Sequence, residues 1–162
     1  MSQEAYLASL NLLDVEEVAA VLPQLNVHER SPKLTAEDLY LNEKLPFGYN
    51  YVDTNLRITH DYDNFGGHGS HVAGIAAANA TEGTDVVGVA PDAQLITMKV
   101  FGKAGGAYDS DYLVAIEDAI VLKCDTVNLS LGSSNPGATR HTKAEYQAIL
   151  DRLTESGIVV AI

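Results

Sequence analysis

The chain has few basic residues, a single cysteine and no long apolar run. Its 10 Lys and Arg are outnumbered by 22 Asp and Glu, and the formal net charge is −12. Because phosphate groups are bound by clustered cations, this balance argues against nucleic acid and against anionic membrane surfaces as partners. No stretch is apolar for long enough to cross a bilayer. We therefore expect no nucleic-acid binding and no membrane insertion by this segment.

The lone cysteine and the N-terminal residues exclude two further features. Cys124 has no second cysteine to pair with, and its position after a helical apolar pattern predicts a buried, inert thiol. The N-terminal sequence "MSQEAYLASLNLL" lacks the basic start and the small-residue cleavage site of a signal peptide. With 162 residues the chain is long enough for one ordinary domain.

The first half of the chain is irregular. Asp14, with Glu17 three residues later, predicts a capped short helix over residues 14–22 that Pro23 ends. A second short helix is predicted after Thr35, and a tyrosine-rich extended segment follows it.

The second half has the alternating pattern of an α/β domain. The predicted strands are "DAQLITMKV", "DTVNLSL" and "IVVAI", and the helix "SDYLVAIEDAIVLK" lies between the first two. Thr142 and Glu145 predict a capping box for a second helix, which Gly157 ends. Strands that are apolar without strict alternation indicate a parallel β-sheet with helices on both faces. The functional crevice of such a sheet lies at the carboxyl ends of its strands.

The segment "GGHGSHVAGIAAAN", residues 66–79, carries two histidines three positions apart. His68 and His71 on one helical face could both bind zinc, although no third ligand stands at a fixed spacing nearby. They could also be satisfied polar residues near a helix start. In a third interpretation, the small residues that follow allow the helix to run through a packed interior and present His68 at the crevice. There it would act as a general base, since its reference pKa lies near working pH.

Three blocks of the chain resemble the subtilisin-like serine proteases. They are "HGSHVAGIAAAN", which is a family signature, "VVGVAPDAQLITMKVF" and "VNLSLGS", in the family's order. The stretch "LPFGYNYVDTNLRITHDYD" further resembles lactocepin-type cell-envelope proteinases. The resemblance covers about residues 40–162, which we take as a partial subtilisin-like peptidase domain after an N-terminal irregular and helical segment, residues 1–39. It implies an incomplete subtilisin-like fold, and it implies that the protein hydrolyses peptide bonds as a serine endopeptidase with a Ser-His-Asp triad.

The resemblance also implies roles for individual residues. His68 matches the general base, and His71 then becomes a buried structural residue of the same helix. The implied substrate-binding residues are Gly105 and Gly106 on one edge and Ser130, Leu131 and Gly132 on the other. An extended peptide held between two such edges gains main-chain hydrogen bonds. Ser130 is not the nucleophile, because it stands at a strand end and not at the start of a helix.

Other parts of the family's catalytic machinery have no match. The nucleophile's "GTS" motif and the aspartate's "DSG" or "DTG" motif do not occur, and the chain stops at Ile162 before the oxyanion-hole asparagine. Asp14 is the nearest aspartate candidate, but its capping box explains it without catalysis. We therefore expect a fragment of a secreted or cell-wall-associated parent protein, with no serine-protease activity in the isolated chain.

The sequence also bears on cofactors and on a non-enzymatic alternative. No cofactor is required, although Asn79, Glu82 and Asp85 could donate oxygens to calcium, as loops at this position do in many family members. The alternative to an enzyme fragment is a non-catalytic, protease-like module that binds extended peptides. An unpaired strand edge and an uncovered apolar face predict poor solubility or self-association of the segment alone.

Overall fold

Two short parallel sheets make up the β-structure of the described residues, which in this computed structural model are Ser2, Ala5, 12–64, 66–132 and 143–162. Strand β1 (Phe47–Asn50) pairs with β2 (Ile96–Lys99), and β3 (Thr126–Asn128) pairs with β4 (Val159–Ala161). The α/β class with parallel strands is confirmed. Within the described ranges, however, the strands form two separate pairs and not one sheet.

The described helices from residue 12 onward include the predicted ones in their predicted order, and one more, over Asn26–Arg30, that was not predicted. They are α1 (Val15–Val21), α2 (Asn26–Arg30), α3 (Ala36–Leu39), α4 (His68–Ala77), α5 (Asp109–Val121) and α6 (Lys143–Glu155), with a 3₁₀ turn (Leu22–Gln24) after α1. The alternation β2, α5, β3, α6, β4 agrees with the predicted strand–helix pattern. Among the helices of the described residues, none combines the length and the apolar character that a membrane crossing needs.

Local sequence signals set several helix ends. The Asp14 carboxylate accepts hydrogen bonds from the backbone N–H groups of Glu16 and Glu17, both at 2.9 Å, and the Glu17 side chain accepts one from the Asp14 N–H. This is the predicted capping box. Gly157 follows α6 with a φ of 77°, the left-handed conformation predicted for it. Thr142, the other predicted cap, lies outside the described residues.

One hydrophobic core joins the N-terminal helices to the first sheet. Its buried members are Val18, Leu25, Val27, Ala36, Leu39, Phe47, Tyr49, Tyr51, Ala115 and Leu122. All four residues of β1 are buried, although the sequence indicated only an extended segment there. Because helices from residues 12–39 pack on β1 and on α5, the core runs across the division at residue 39 without a break. A second core (Ile116, Leu129, Ile149, Leu153 and Ile158) lies between α5, α6 and the second sheet.

A buried carboxylate connects three parts of the first core. Asp118 of α5 has no exposed surface. It accepts hydrogen bonds from the Asn26 backbone N–H (2.7 Å), the Asn26 side-chain amide (2.8 Å), the Val27 N–H (3.2 Å) and the Tyr51 hydroxyl (2.9 Å). Burial raises the pKa of Tyr51 well above its usual value, and the neighbouring Asp118 carboxylate raises it further. Asp118 thus holds the start of α2 and the residue after β1 against α5.

The thiol of Cys124 packs against the first core. Burial raises the pKa of Cys124 to about 12, and the charge of Asp125 adds to the rise. Because the thiolate is the reactive form, we expect the folded chain to react with iodoacetamide at pH 8 roughly a thousandfold more slowly than a free thiol. Mass spectrometry of the alkylated chain over time measures this. The same chain in concentrated guanidinium chloride is the control, and equal rates in the two solvents would contradict the expectation.

Candidate active site

Helix α4 begins at the first histidine of the glycine-flanked pair. Gly67 is its N-cap residue and has no side chain with which to cap it, and the His71 N–H donates the first helical hydrogen bond to the Gly67 carbonyl at 3.0 Å. His68 is therefore the first residue of the helix, and its side chain is exposed.

Two expectations about this helix are wrong. His71 is exposed and not a buried structural residue, and α4 does not run through a packed interior. Ala77 is its one buried residue, and Ile75 is 70% exposed. The small residues that suggested close packing leave open space instead, since a Cβ added at Gly74 would meet nothing within 4 Å. Small side chains permit close packing, but the elements that pack around a helix decide its burial.

The C-terminal end of α4 is fixed by a close backbone approach. The backbone N–H groups of Val89 and Ala90 donate to carbonyls in the last turn of α4 at 2.9 and 2.8 Å. The Gly88 N–H donates to the carbonyl of Ala78, the C-cap residue, at 2.8 Å. A Cβ at Gly88 would lie 2.5 Å from the backbone nitrogen of Ala77, so only glycine fits here. This contact explains why the "VVGVAP" block has a glycine at position 88, and it fixes the direction of α4 relative to that block.

The segment that leads into His68 is attached to the glycine loop after β2. Lys99, the last residue of β2, forms an ion pair with Asp63, and the Asn64 N–H donates to the Lys103 carbonyl at 3.0 Å. Asp53 also holds this loop, because its carboxylate accepts a hydrogen bond from the Lys103 N–H at 2.9 Å. The structure therefore brings the histidine-bearing segment and the predicted peptide-binding loop together. Sequence reasoning missed Lys99, Asp63 and Asp53. Nothing in the spacing of these residues indicates that Lys99 pairs with Asp63 or that Asp53 binds the glycine loop.

The glycine loop is a tight turn. The Gly102 N–H donates to the Gly106 carbonyl at 3.0 Å, and the Gly105 N–H donates to the Gly102 carbonyl at 2.8 Å. Gly105 has a φ of 83°, a conformation that favours glycine. Within the part of the chain that the structure describes, the Gly105 carbonyl and the Gly106 N–H have no hydrogen-bond partner. Together with the N–H and carbonyl of Ala104, they are groups of this turn that remain for a peptide backbone.

The second predicted edge follows β3. The Ser130 hydroxyl accepts a hydrogen bond from the Asn128 side-chain amide at 2.8 Å, and the Leu131 N–H donates to the Leu129 carbonyl at 2.7 Å. Ser130 and Gly132 are exposed, and Leu131 is half-buried against the second core. Both predicted edges thus lie at the carboxyl end of a parallel strand.

Residues 12–64, 66–132 and 143–162 contain no group of three or more His, Cys, Asp and Glu side chains that could hold a metal ion. The zinc interpretation of His68 and His71 therefore gains no third ligand from these ranges. In the predicted calcium loop, the Asn79 side-chain amide donates to the Pro91 carbonyl at 2.8 Å. Calcium binding by Asn79, Glu82 and Asp85 stays a prediction.

The capping geometry of Asp14 leads to a simple test of its role. Asn caps a helix about as well as Asp, whereas Ala does not cap it. We expect Asp14→Ala to lower the free energy of unfolding by about 1 kcal/mol and Asp14→Asn to change it by only a few tenths. Urea denaturation of the three chains measures this. A loss from Asp14→Asn as large as that from Asp14→Ala would show that the charge, and not the cap, matters at this position.

Comparison with known proteins places the fold and the histidine helix in a family. The sequence profile of the subtilase family matches residues 34–162. The chain is 42% identical over 130 residues to the PI-type proteinase of Lactococcus lactis subsp. cremoris, which covers 76% of this chain and 7% of that protein. It is 41% identical over 104 residues to subtilisin E of Bacillus subtilis (strain 168), covering 64% and 25%. It is 37% identical over 106 residues to the minor extracellular protease Vpr of the same strain, covering 61% and 13%.

These matches define the class of protein. An α/β fold with this signature histidine at the start of a helix is that of a subtilisin-like peptidase domain, and the chain belongs to the subtilase family. The resemblance to lactocepin-type proteinases is confirmed as well. The chain spans about 7% of the length of the PI-type proteinase that it matches.

Proposed function

We propose that this chain is the histidine-bearing part of the catalytic domain of a serine endopeptidase. The observation that carries the proposal is the position of His68 as the exposed first residue of α4, in a chain of the subtilase family. Histidine suits proton transfer in neutral solution because its ordinary pKa lies close to neutral pH.

In the proposed reaction His68 acts twice. Its imidazole takes the proton of a serine hydroxyl as the serine oxygen attacks the carbonyl carbon of the scissile peptide bond. The resulting imidazolium then gives that proton to the leaving amine, and an acyl-enzyme remains. Water then hydrolyses the acyl-enzyme: His68 takes a proton from the attacking water and gives it to the serine oxygen, which leaves as the hydroxyl. The 162 residues contain no "GTS" motif for the nucleophile and no "DSG" or "DTG" motif for the orienting aspartate, so we expect the isolated chain to be inactive.

The proposed substrate is a peptide in extended conformation. It would lie between the turn of Gly105 and Gly106 and the strand end of Ser130, Leu131 and Gly132. The unpaired Gly105 carbonyl and Gly106 N–H support the first edge, because an extended backbone needs one acceptor and one donor there. The exposure of Ser130 and Gly132 supports the second edge.

A chimera tests the proposal. In it, residues 34–162 of this chain replace the matching segment of the PI-type proteinase, so that every other part of that proteinase is present. We expect the chimera to hydrolyse peptides and to lose this activity on treatment with a serine-directed phosphonate. A chimera that folds but hydrolyses nothing would contradict the proposal.

The unpaired Gly105 carbonyl and Gly106 N–H would equally serve a second candidate, a protease-like module that binds extended peptides without cleaving them. Binding of an unstructured peptide by the isolated chain, together with an inactive chimera, would support this candidate. Secretion or attachment to the cell wall is proposed for the parent protein, and the name of the minor extracellular protease among the relatives supports it.

A further inference from the structure

The ion pair between Lys99 and Asp63 has no part in the proposed proton transfers, yet it is largely withdrawn from water. The exposed fractions of the two side chains are 11% and 12%. The Lys99 ammonium also donates a hydrogen bond to the Phe101 carbonyl at 2.7 Å. By comparison, the Arg152–Glu117 pair between α6 and α5 has exposed fractions of 51% and 35%.

A pair so far removed from solvent is a poor source of stability. Taking both charges out of water costs free energy that their attraction only partly returns, and an apolar pair of similar size often stabilises a protein as well. Removing one partner is nevertheless costly, because the other charge then stays buried without compensation. Such a pair therefore holds two chain segments in a fixed relation, whatever its net contribution to folding.

One of the two segments is the more rigid. Lys99 ends β2, and its backbone carbonyl accepts a hydrogen bond from the Tyr51 N–H at 2.9 Å. Asn50, opposite Lys99 in the sheet, and Tyr51 are both buried. The Lys99 side chain thus projects from the sheet that is anchored in the first core.

The other segment leads directly into the histidine helix. The Asp63 N–H donates to the His60 carbonyl at 3.0 Å, which closes a turn before Asn64. The ring of His60 then lies against the helix N-cap, since a Cβ at Gly67 would be 3.1 Å from its Nδ1 and Cε1 atoms. Asp63 and Gly67 are therefore each held by a contact, and His68 follows Gly67 directly.

We propose that Lys99 and Asp63 are positioning residues for His68. The ion pair fastens the segment before α4 to the carboxyl end of β2, next to the hydrogen bond from the Asn64 N–H to the Lys103 carbonyl. It thereby sets the position of the imidazole relative to the glycine turn of residues 102–106. The catalytic meaning of this arrangement rests on the proposed function, but the fastening itself is a property of the chain that can be measured without substrate.

Hydrogen exchange of the whole 162-residue chain tests the proposal. Mass spectrometry compares a peptide covering residues 63–72 with one covering β1 in the parent chain and in Lys99→Met, Asp63→Asn, Lys99→Arg and Arg152→Met. We expect Lys99→Met and Asp63→Asn to speed exchange at least tenfold in residues 63–72 and to leave β1 unchanged. Lys99→Arg keeps the charge, and we expect its exchange in residues 63–72 to be as slow as in the parent chain. Arg152→Met, which removes the exposed pair, changes neither peptide.

Three results would overturn the proposal. Exchange that rises equally in both peptides, or only in β1, would make the pair a general stabilising element. Unchanged exchange in residues 63–72 would show that it fastens nothing. If neither neutral variant folds while Lys99→Arg does, the pair serves folding and not positioning. Because no substrate is used, failure here is distinct from failure of the proposed catalysis.

Discussion

Replacing Asp118 by alanine is expected to lower the free energy of unfolding by roughly 3–5 kcal/mol, because several buried donors lose their acceptor together. The backbone N–H groups of Asn26 and Val27 and the hydroxyl of Tyr51 all point at this carboxylate, and no water can reach a residue with no exposed surface. A loss of that size is a large part of the stability of a domain of this length. Urea denaturation followed by circular dichroism measures it.

Two variants separate this effect from an ordinary loss of charge. Tyr51→Phe removes one of the hydrogen bonds to Asp118, and we expect it to cost about 1 kcal/mol. Asp151→Ala removes an exposed carboxylate from α6, and we expect a change within about 0.5 kcal/mol. A loss below 1 kcal/mol for Asp118→Ala would contradict the assignment of this carboxylate as the link between α2, β1 and α5.

His68→Ala in the PI-type chimera is expected to lower kcat by about six orders of magnitude. The loss is this large because the base activates the nucleophile and protonates the leaving group, so that no other member of the site replaces it. Rates of hydrolysis of a chromogenic peptide, at saturating and at low substrate, separate kcat from KM. We expect KM to stay within a fewfold, since His68 contributes to proton transfer more than to substrate binding.

His71→Ala is the matched control for this substitution. His71 lies on the same helix three residues later, is exposed and is the same residue type, so its replacement perturbs α4 in a similar way. We expect the activity loss to be at least a thousandfold smaller than that of His68→Ala. Comparable losses from both substitutions would indicate that the helix as a whole, and not one imidazole, carries the effect. A fully active His68→Ala chimera would refute the proposed role.

The local features of this protein follow from short-range patterns, and these were predictable. Asp14 and Glu17 are three residues apart and form their capping box from backbone geometry alone. Gly157 takes the left-handed conformation that ends a helix, and α5 begins at Asp109, one residue before the predicted stretch "SDYLVAIEDAIVLK". His68 was also expected near the start of a helix, and it is the first residue of α4.

The sequence by itself therefore determined several helix ends, the parallel α/β class and the histidine that heads α4. Only the tertiary structure decided which polar residues are buried and which segments meet. Asp118 is one acid among several in α5, yet it is fully buried because α2 and Tyr51 pack over it. Lys99 and Asp63 are 36 positions apart, and His71 is exposed where burial was predicted. Local patterns describe a few neighbouring residues, whereas burial and pairing depend on elements that are distant in the chain.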